Sequence, residues 1–302
     1  MNKDQIYFEW SDDYNIGVKV IDDAHRQLFS IVNRIIRNIT DDNFEKNKLT
    51  CIEAVKYLKS YTVKHFAEEE GYQRSINYEG YKIHKSIHDN MRDVVVPTLE
   101  QELVRTGYSV QSLEHFVGVC GGWLLAHVLI EDQAITGKVR SKWRKQNPDD
   151  VSIMELENIM TDVMASLFHS PASLVSRKYA GHDLGSLLCV SDEFTDETGV
   201  VYSVTTAIEE SVVMSEASKI MHRSVLEMKD VMLPLVTQVL TAFNTNIIHS
   251  FISESLVNTG SRVIASTDFY KAFENVYPDY TLLWRLGEGY MAFCIRKKPV
   301  FA

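Results

Sequence analysis

The chain has 302 residues, 45% of them hydrophobic, and a formal net charge of −10 at pH 7. That length and apolar content allow two domains with cores of their own and exclude a disordered chain. The acidic balance argues against nucleic acid or an anionic membrane as the main partner.

Four cysteines, Cys51, Cys120, Cys189 and Cys294, stand far apart and form no Cys-x-x-Cys. Reduced thiols packed as small core residues in a cytoplasmic protein are expected. Met1 to Trp10 is polar and acidic, unlike a signal peptide. The longest apolar run, Phe116 to Ile130, is shorter than the roughly 18–20 residues of a membrane span, so no membrane partner is expected.

In chain order, residues 1–18 read as an extended arm, with Trp10 packing over one end of a helical bundle. A first helix is predicted from Val20 to Asn38, with Ile21, Leu28, Ile31, Val32, Ile35 and Ile36 at helical spacing. It carries His25, and Asp22 reads as a first-turn charge that complements the helix dipole. Asp41, Asp42 and Asn43 form a polar turn. A second helix from Phe44 to Tyr72 carries His65 and Glu69 four apart, hence on one face. Glu68 and Glu70 flank that pair and are expected to be solvated charges. After the loop Asn77 to Gly80, a third helix from Tyr81 to Thr106 carries His84 and His88, and Pro97 is expected to bend it. Gly107 breaks the pattern. A fourth helix from Ser109 to Asp132 carries His127 and Asp132. Its small Cys120-Gly121-Gly122 segment would let a neighbouring helix approach closely.

His127 and Asp132 are five residues apart, about 140° on an ideal helix. They share a face only if the helix widens locally, as in a π-turn, a feature that clusters at functional sites. His115, twelve residues before His127, points elsewhere and is not counted as a ligand.

Four helices that turn five imidazoles and two carboxylates inward make a metal site in a bundle core. The set is too large for one tetrahedral zinc. It suits two iron ions with bridging carboxylates. No Glu-x-x-His occurs, unlike the carboxylate-rich ferritin-type diiron oxidases. A site rich in neutral imidazole points to reversible dioxygen binding more than to substrate oxidation.

Residues 8–133 resemble bacterial hemerythrins. The resemblance is carried by Trp10, Ile21-Asp22-Asp23-Ala24-His25, His65-Phe66-Ala67-Glu68-Glu69, His84-Lys85-Ser86-Ile87-His88, and His127 through Asp132. It implies two non-heme iron ions with an oxo or hydroxo bridge, and dioxygen as ligand. It implies that His84, His88 and His127 hold one iron, that His25 and His65 hold the other and leave it an open position, and that Glu69 and Asp132 bridge the pair. Leu28, Phe29, Phe66, Trp123, Leu124 and Val128 are expected to wall the open position and keep water from the bound gas.

Arg140 to Asp150 is charged and holds Pro148, and the expected division is a bundle over 1–140, a linker over 141–150 and a second domain over 151–302. In the second half, helices are predicted at Ile153–Phe168, Ile208–Met221 and from Pro234 to about Val257. Strands are predicted at Leu184–Val190, Val200–Thr206, Arg262–Ser266, Tyr280–Leu286 and Tyr290–Arg296, with an acidic turn at Asp192–Gly199. Gly287-Glu288-Gly289 is a hairpin signal. The fold class is therefore an all-α four-helix bundle followed by an α+β domain with helices on an antiparallel sheet. His169, His182, His222 and His249 have no spacing suited to a metal.

This order of elements looks like the CheX family of chemotaxis phosphatases, on Asn246-Ile247-Ile248-His249-Ser250 followed by Gly260 and Val263-Ile264. Active members carry a Glu three residues before the Asn. Here Phe243 stands there, and a phenyl ring cannot orient a water. Ser266, Thr267 and Asp268 replace the family's later proline. A register through Asn244 puts Thr241 in the Glu place. Glu155 and Asn158 have the spacing, but on the wrong helix. The resemblance implies a degenerate member, with Asn246 as the remnant of the catalytic pair and no catalytic residue, and with a CheY-like receiver as partner and a homodimer through this domain. The whole chain reads as a cytoplasmic oxygen or redox sensor. Its rivals are an oxygen-regulated CheY-phosphate phosphatase and an oxygen carrier or scavenger that the second domain dimerises.

Overall fold

A computed structural model describes residues 8, 10–39, 44–138, 153–221, 224–225, 231–275 and 277–298. The expected linker, 141–150, and His222 lie outside the described residues. Contacts divide the chain into two units. One is Met1–Trp143 with Ile220–His222 and Lys229–Gln238, and the other is Arg144–Lys219 with Arg223–Met228 and Val239–Ala302.

The first unit is a ring of four rods. The first two are α1, Lys19–Ile39, and α2, Phe44–Ser75. The third is α3, Tyr81–Asn90, a π-turn at Met91–Val95, and α4, Val96–Arg105. The fourth is α5, Val110–Ala126, a π-turn at His127–Asp132, and the short α6, Gln133–Ile135. Rods pack on their neighbours around the ring, α1 on α2 and α5, α3 on α2, and α4 on α5.

The sequence explains the starts and stops. Asp22 is buried and accepts hydrogen bonds from the backbone N–H of Ile16 at 2.7 Å and Gly17 at 3.2 Å, so it ties the incoming loop to α1 as well as facing the helix dipole. The residues expected as the apolar stripe of α1 are all buried. Ser109 caps α5 by accepting the N–H of Ser112. Pro97 does not end the third rod. It has no N–H for the carbonyl four residues back, and the backbone widens into the π-turn just before it. The fourth rod widens at His127–Asp132, where the five-residue spacing required it.

Glycines set the close approaches of α5. A Cβ on Gly121 would stand 3.2 Å from the ring of Phe8. Phe8 is pinned there by Asn33, whose side chain exchanges two hydrogen bonds of 2.6 Å with its backbone. On Gly118 a Cβ would meet the Val231 carbonyl oxygen at 2.7 Å, and on Gly122 that of Leu235 at 2.3 Å. The neighbour that uses the small segment is thus residues 231–238 of the same unit.

The second unit holds one six-stranded sheet, all pairs antiparallel, in the order β1-β5-β6-β3-β2-β4. The strands are β1 Ala172–Ser176, β2 Leu187–Thr195, β3 Val201–Glu209, β4 Val257–Ile264, β5 Tyr280–Leu286 and β6 Gly289–Lys298. The helices are α7 Ile153–Leu167, α8 Glu210–Ile220, α9 Met232–Phe251 and α10 Ser266–Asn275. The first turns of α9 belong to the first unit. The hairpin between β5 and β6 turns at Gly287, whose φ of 59° favours glycine.

Several expectations shift. The strand β1 and the helix α10 had no predicted counterpart. Asp192 to Thr195 belong to β2, so the acidic turn is shorter, with Asp196 accepting from the N–H of Thr198 and Val200. α9 ends at Phe251, not near Val257, because Leu256 turns back on Ser253 and Val257 opens β4. No Gly or Pro marks that stop.

Candidate metal centre

All seven predicted ligand side chains converge in the bundle core, each no more than 3% exposed. The widened turn brings His127 Nε2 to 3.0 Å from Asp132 Oδ1. His25 and His65 face each other with Nε2 atoms 3.1 Å apart, and His88 and His127 with Nε2 atoms 2.9 Å apart.

The two carboxylates divide their oxygens between these groups. Glu69 Oε2 lies 3.4 Å from His65 Nε2, and its Oε1 lies 2.7 Å from His84 Nε2 and 3.7 Å from His88 Nε2. Asp132 Oδ2 lies 3.1 Å from His25 Nε2, and its Oδ1 lies 3.0 Å from His127 and 3.3 Å from His84. Each carboxylate therefore shows one oxygen to the two-imidazole side and one to the three-imidazole side. The donor atoms of Glu69, His84, His88 and His127 form one cluster, and those of His25, His65 and Glu69 another.

Glu69 Oε2, both oxygens of Asp132 and both ring nitrogens of His84 are buried without an aligned hydrogen-bond partner. Buried polar groups are normally satisfied, so such a cluster needs another occupant. Protonation fits a cation. Burial, and then the neighbouring His25, push His65 down to about 3. Burial pushes His88 down to about 4. Both are neutral imidazoles with a free lone pair. Burial and Asp132 push Glu69 up, but His84 and His88 outweigh them and hold it at about 2. Burial likewise opposes ionisation of Asp132, yet His127, His25 and His84 hold it well below the usual carboxylate range. Burial pushes His84 down, while Glu69 and Asp132 more than reverse that and raise it to about 10. The carboxylates thus demand positive charge, which a metal cation supplies with neutral imidazole donors. The residues fit a metal site.

Residues 16–139 match the hemerythrin HHE cation binding domain family. Residues 16–139 are hemerythrin-like. Over 131 residues, 43% of this chain, it is 27% identical to bacteriohemerythrin of Pseudomonas aeruginosa, covering 80% of that protein. Over 127 residues, 42% of this chain, it is 28% identical to bacteriohemerythrin of Clostridium acetobutylicum, covering 96% of it. The second half is similar to a chain in the crystal structure of a CheX–CheY complex from Borrelia burgdorferi, at 14% identity and a TM-score of 0.37, covering 49% of this chain and 99% of that one. At that score the likeness carries no functional argument. The α+β class rests on the strand order.

Of the residues expected to wall the open position, Phe66 and Trp123 lean on the three-imidazole side. Phe66 stacks on His88 with centroids 3.9 Å apart, and Trp123 on His127 at 4.3 Å. Trp10 is nearer the other side, its ring 6.4 Å from that of His25. Phe29 packs against Trp10 and Tyr14 at 5.8 Å from each, and Val128 is fully buried. Leu28, Trp123 and Leu124 line a small cavity of about 20 Å³ together with Met91, Phe116 and Cys120.

One expectation is corrected. Glu68 is half-buried at the surface, and Glu70 is not a solvated charge. It is 8% exposed and lies 3.3 Å from His88 Nδ1. Gln73 was not singled out, and its amide donates to Glu69 Oε1 at 2.6 Å. His115 points away and pairs with Glu102 at 2.7 Å.

In the second unit, Phe243 is fully buried among Phe168 and Phe293, and Asn246 is 7% exposed. Asn244 is buried instead in a polar network. It donates to Asp192 at 2.6 Å and accepts from Thr206 at 2.5 Å. Burial raises the Asp192 carboxyl from its usual value, against the hydrogen bonds it accepts. Helix Val110–Ile135 is long and apolar enough to cross a membrane, but 83% of its most apolar 18-residue window is buried, and it carries His127 and Asp132 as a core helix.

Proposed function

We propose that the hemerythrin domain holds two iron ions and senses dioxygen or redox state for the α+β domain. The observation that carries this reading is the division of carboxylate oxygens. Glu69 and Asp132 each face both imidazole groups, as bridging ligands must. In this reading His84, His88 and His127 hold one ion, and His25 and His65 hold the other. Bound iron supplies the reversible redox chemistry that dioxygen binding requires. The chain's own residues orient the imidazoles, balance the charge and exclude water. Glu70 holds the His88 ring so that Nε2 faces the site, and Phe66 and Trp123 seal one side.

We place the sensor in the cytoplasm, in keeping with four buried free thiols. Its second domain acts as a CheX-like signalling module that engages a CheY-like receiver and dimerises. In this reading it has no appreciable phosphatase activity, because Phe243 stands where active members carry a Glu, and its phenyl ring is fully buried. The test is metal analysis of the purified protein after expression in iron-rich medium. Close to two irons per chain are expected. Tight zinc without iron contradicts the reading, and robust dephosphorylation of a CheY-like protein that depends on Asn246 replaces the signalling module with an enzyme.

A further inference from the structure

One face of the C-terminal sheet changes character partway along its strands. Asp192 and Thr206 face α9, where they bond Asn244, so Cys189, Ser191, Thr205 and Ala207 project from the opposite face. The register orders that face in rows. Cys189, Ala207 and Ala292 are aligned and packed under Phe269 of α10. Two residues on, the aligned set is Arg262, Ser191, Thr205 and Cys294, and two further it is Glu193, Ser203 and Arg296. An apolar row under a helix thus gives way to hydroxyls and cations.

That polar half is a groove of about 570 Å³, within the roughly 300–1,000 Å³ of small-molecule sites. One wall is apolar, formed by Phe269, Phe273 and Pro278. The floor is recessed rather than a flat solvated face, since Ser191 is 3% and Cys294 5% exposed. Arg262, Arg296 and Lys298 line it against a single lining carboxylate, Asp268. Glu193 stands beside it, paired with Lys298 and 3.9 Å from Arg262. Arg296 donates through Nη2 to the Ala272 carbonyl oxygen at 2.7 Å, which fixes its guanidinium at the foot of the apolar wall. A planar guanidinium held beside hydroxyls suits an oxyanion. The wall suits an apolar body attached to it.

We propose that this groove binds a small organic anion, its carboxylate or phosphate held by Arg296, Lys298 and the Ser203 hydroxyl, and its apolar part against Phe269, Phe273 and Pro278. This ligand is separate from the one at the metal centre and does not depend on it.

Calorimetric titration of the full-length protein at fixed ionic strength tests this, with benzoate, phenyl phosphate, inorganic phosphate and neutral benzamide as probes. At least one aromatic anion is expected to bind tenfold or more tightly than benzamide. Preference for benzoate marks a carboxylate site, and preference for phenyl phosphate with competition by inorganic phosphate marks a phosphate site. Arg296→Gln should weaken binding at least tenfold. Ser203→Phe fills the groove without removing a charge and should abolish binding while circular dichroism shows a folded chain, so the test stands even if the arginine variant misfolds. Anions that bind no better than benzamide, or that bind the Ser203→Phe variant as well as the parent chain, overturn the proposal.

Discussion

At the residue scale the metal centre depends on more than its ligands. Glu70 approaches His88 Nδ1, and such a carboxylate fixes the ring's tautomer and orientation. Glu70→Gln is expected to weaken iron binding roughly 10–100-fold, whereas Glu68→Ala leaves it unchanged, as read by competition with a chelator. Equal loss in both would place the wrong carboxylate beside the site. The convergence of the seven proposed ligands was legible because pairs at i,i+4 and a family pattern at four places must all agree. Glu70 was not. It sits one residue, about 100°, from Glu69, and only the position of α3 brings His88 to it. Glu216 was equally silent in the sequence. It is 4% exposed and accepts from the backbone N–H of His169 at 2.7 Å, the Ser170 hydroxyl and Lys219. Burial pushes its carboxyl up, but those donors outweigh burial and hold it below its usual value of 4.5. A depressed carboxyl stabilises the fold above the unfolded-state value and loses that contribution as pH falls through the folded one. Stability should therefore decline in acid below about pH 4.5, and Glu216→Gln should cost about 2 kcal/mol at pH 7 and flatten the decline. Denaturant titrations from pH 7 to pH 3 read both effects, and an unchanged slope in the variant would remove Glu216 from the account.

At the element scale the fourth rod does two jobs. Its widened turn gathers His127 and Asp132, and its glycines admit a neighbouring backbone. The turn could be read from the sequence because a five-residue spacing cannot lie on one α-helical face. The second π-turn, at Met91–Val95, could not, since Pro97 signals a bend without fixing its form. The strand β1 was missed for being short and serine-rich, and α10 because its Phe269 and Phe273 meet the sheet only through tertiary packing. A Cβ at Gly122 collides with the Leu235 carbonyl oxygen, a backbone atom that cannot swing aside. Gly122→Ala is expected to destabilise the chain by about 1–3 kcal/mol. Gly71→Ala, mid-helix with only the flexible Arg74 tip at 3.9 Å, should stabilise it by about 0.5–1 kcal/mol. Chemical denaturation of the two variants checks the contrast, and the same sign for both would contradict the packing.

At the scale of the whole molecule, a helical bundle with a candidate metal centre precedes an α+β domain. The two fold classes were legible from the change of period after the charged segment. The inclusion of residues 229–238 in the first unit was not, because no local pattern announces it. The ligands Glu69 and Asp132 lie on different rods, and α5, which runs into the His127–Asp132 turn, packs its glycines on residues 231–238. A change of state at the metal centre should therefore alter hydrogen exchange in residues 231–251, and coupling counts as allostery only if the two states differ in affinity for something bound at the second domain. Exchange changes confined to the iron ligands would make the domains independent and favour an oxygen carrier.

The most direct measurement is an optical titration of the iron(II)-loaded protein with dioxygen, on samples of known iron content. The account predicts one dioxygen for every two irons, near-ultraviolet and visible charge-transfer bands that appear on adding the gas, and loss of those bands when it is removed. One metal per chain, or iron(II) that shows no change with dioxygen, would contradict a paired site bridged by Glu69 and Asp132.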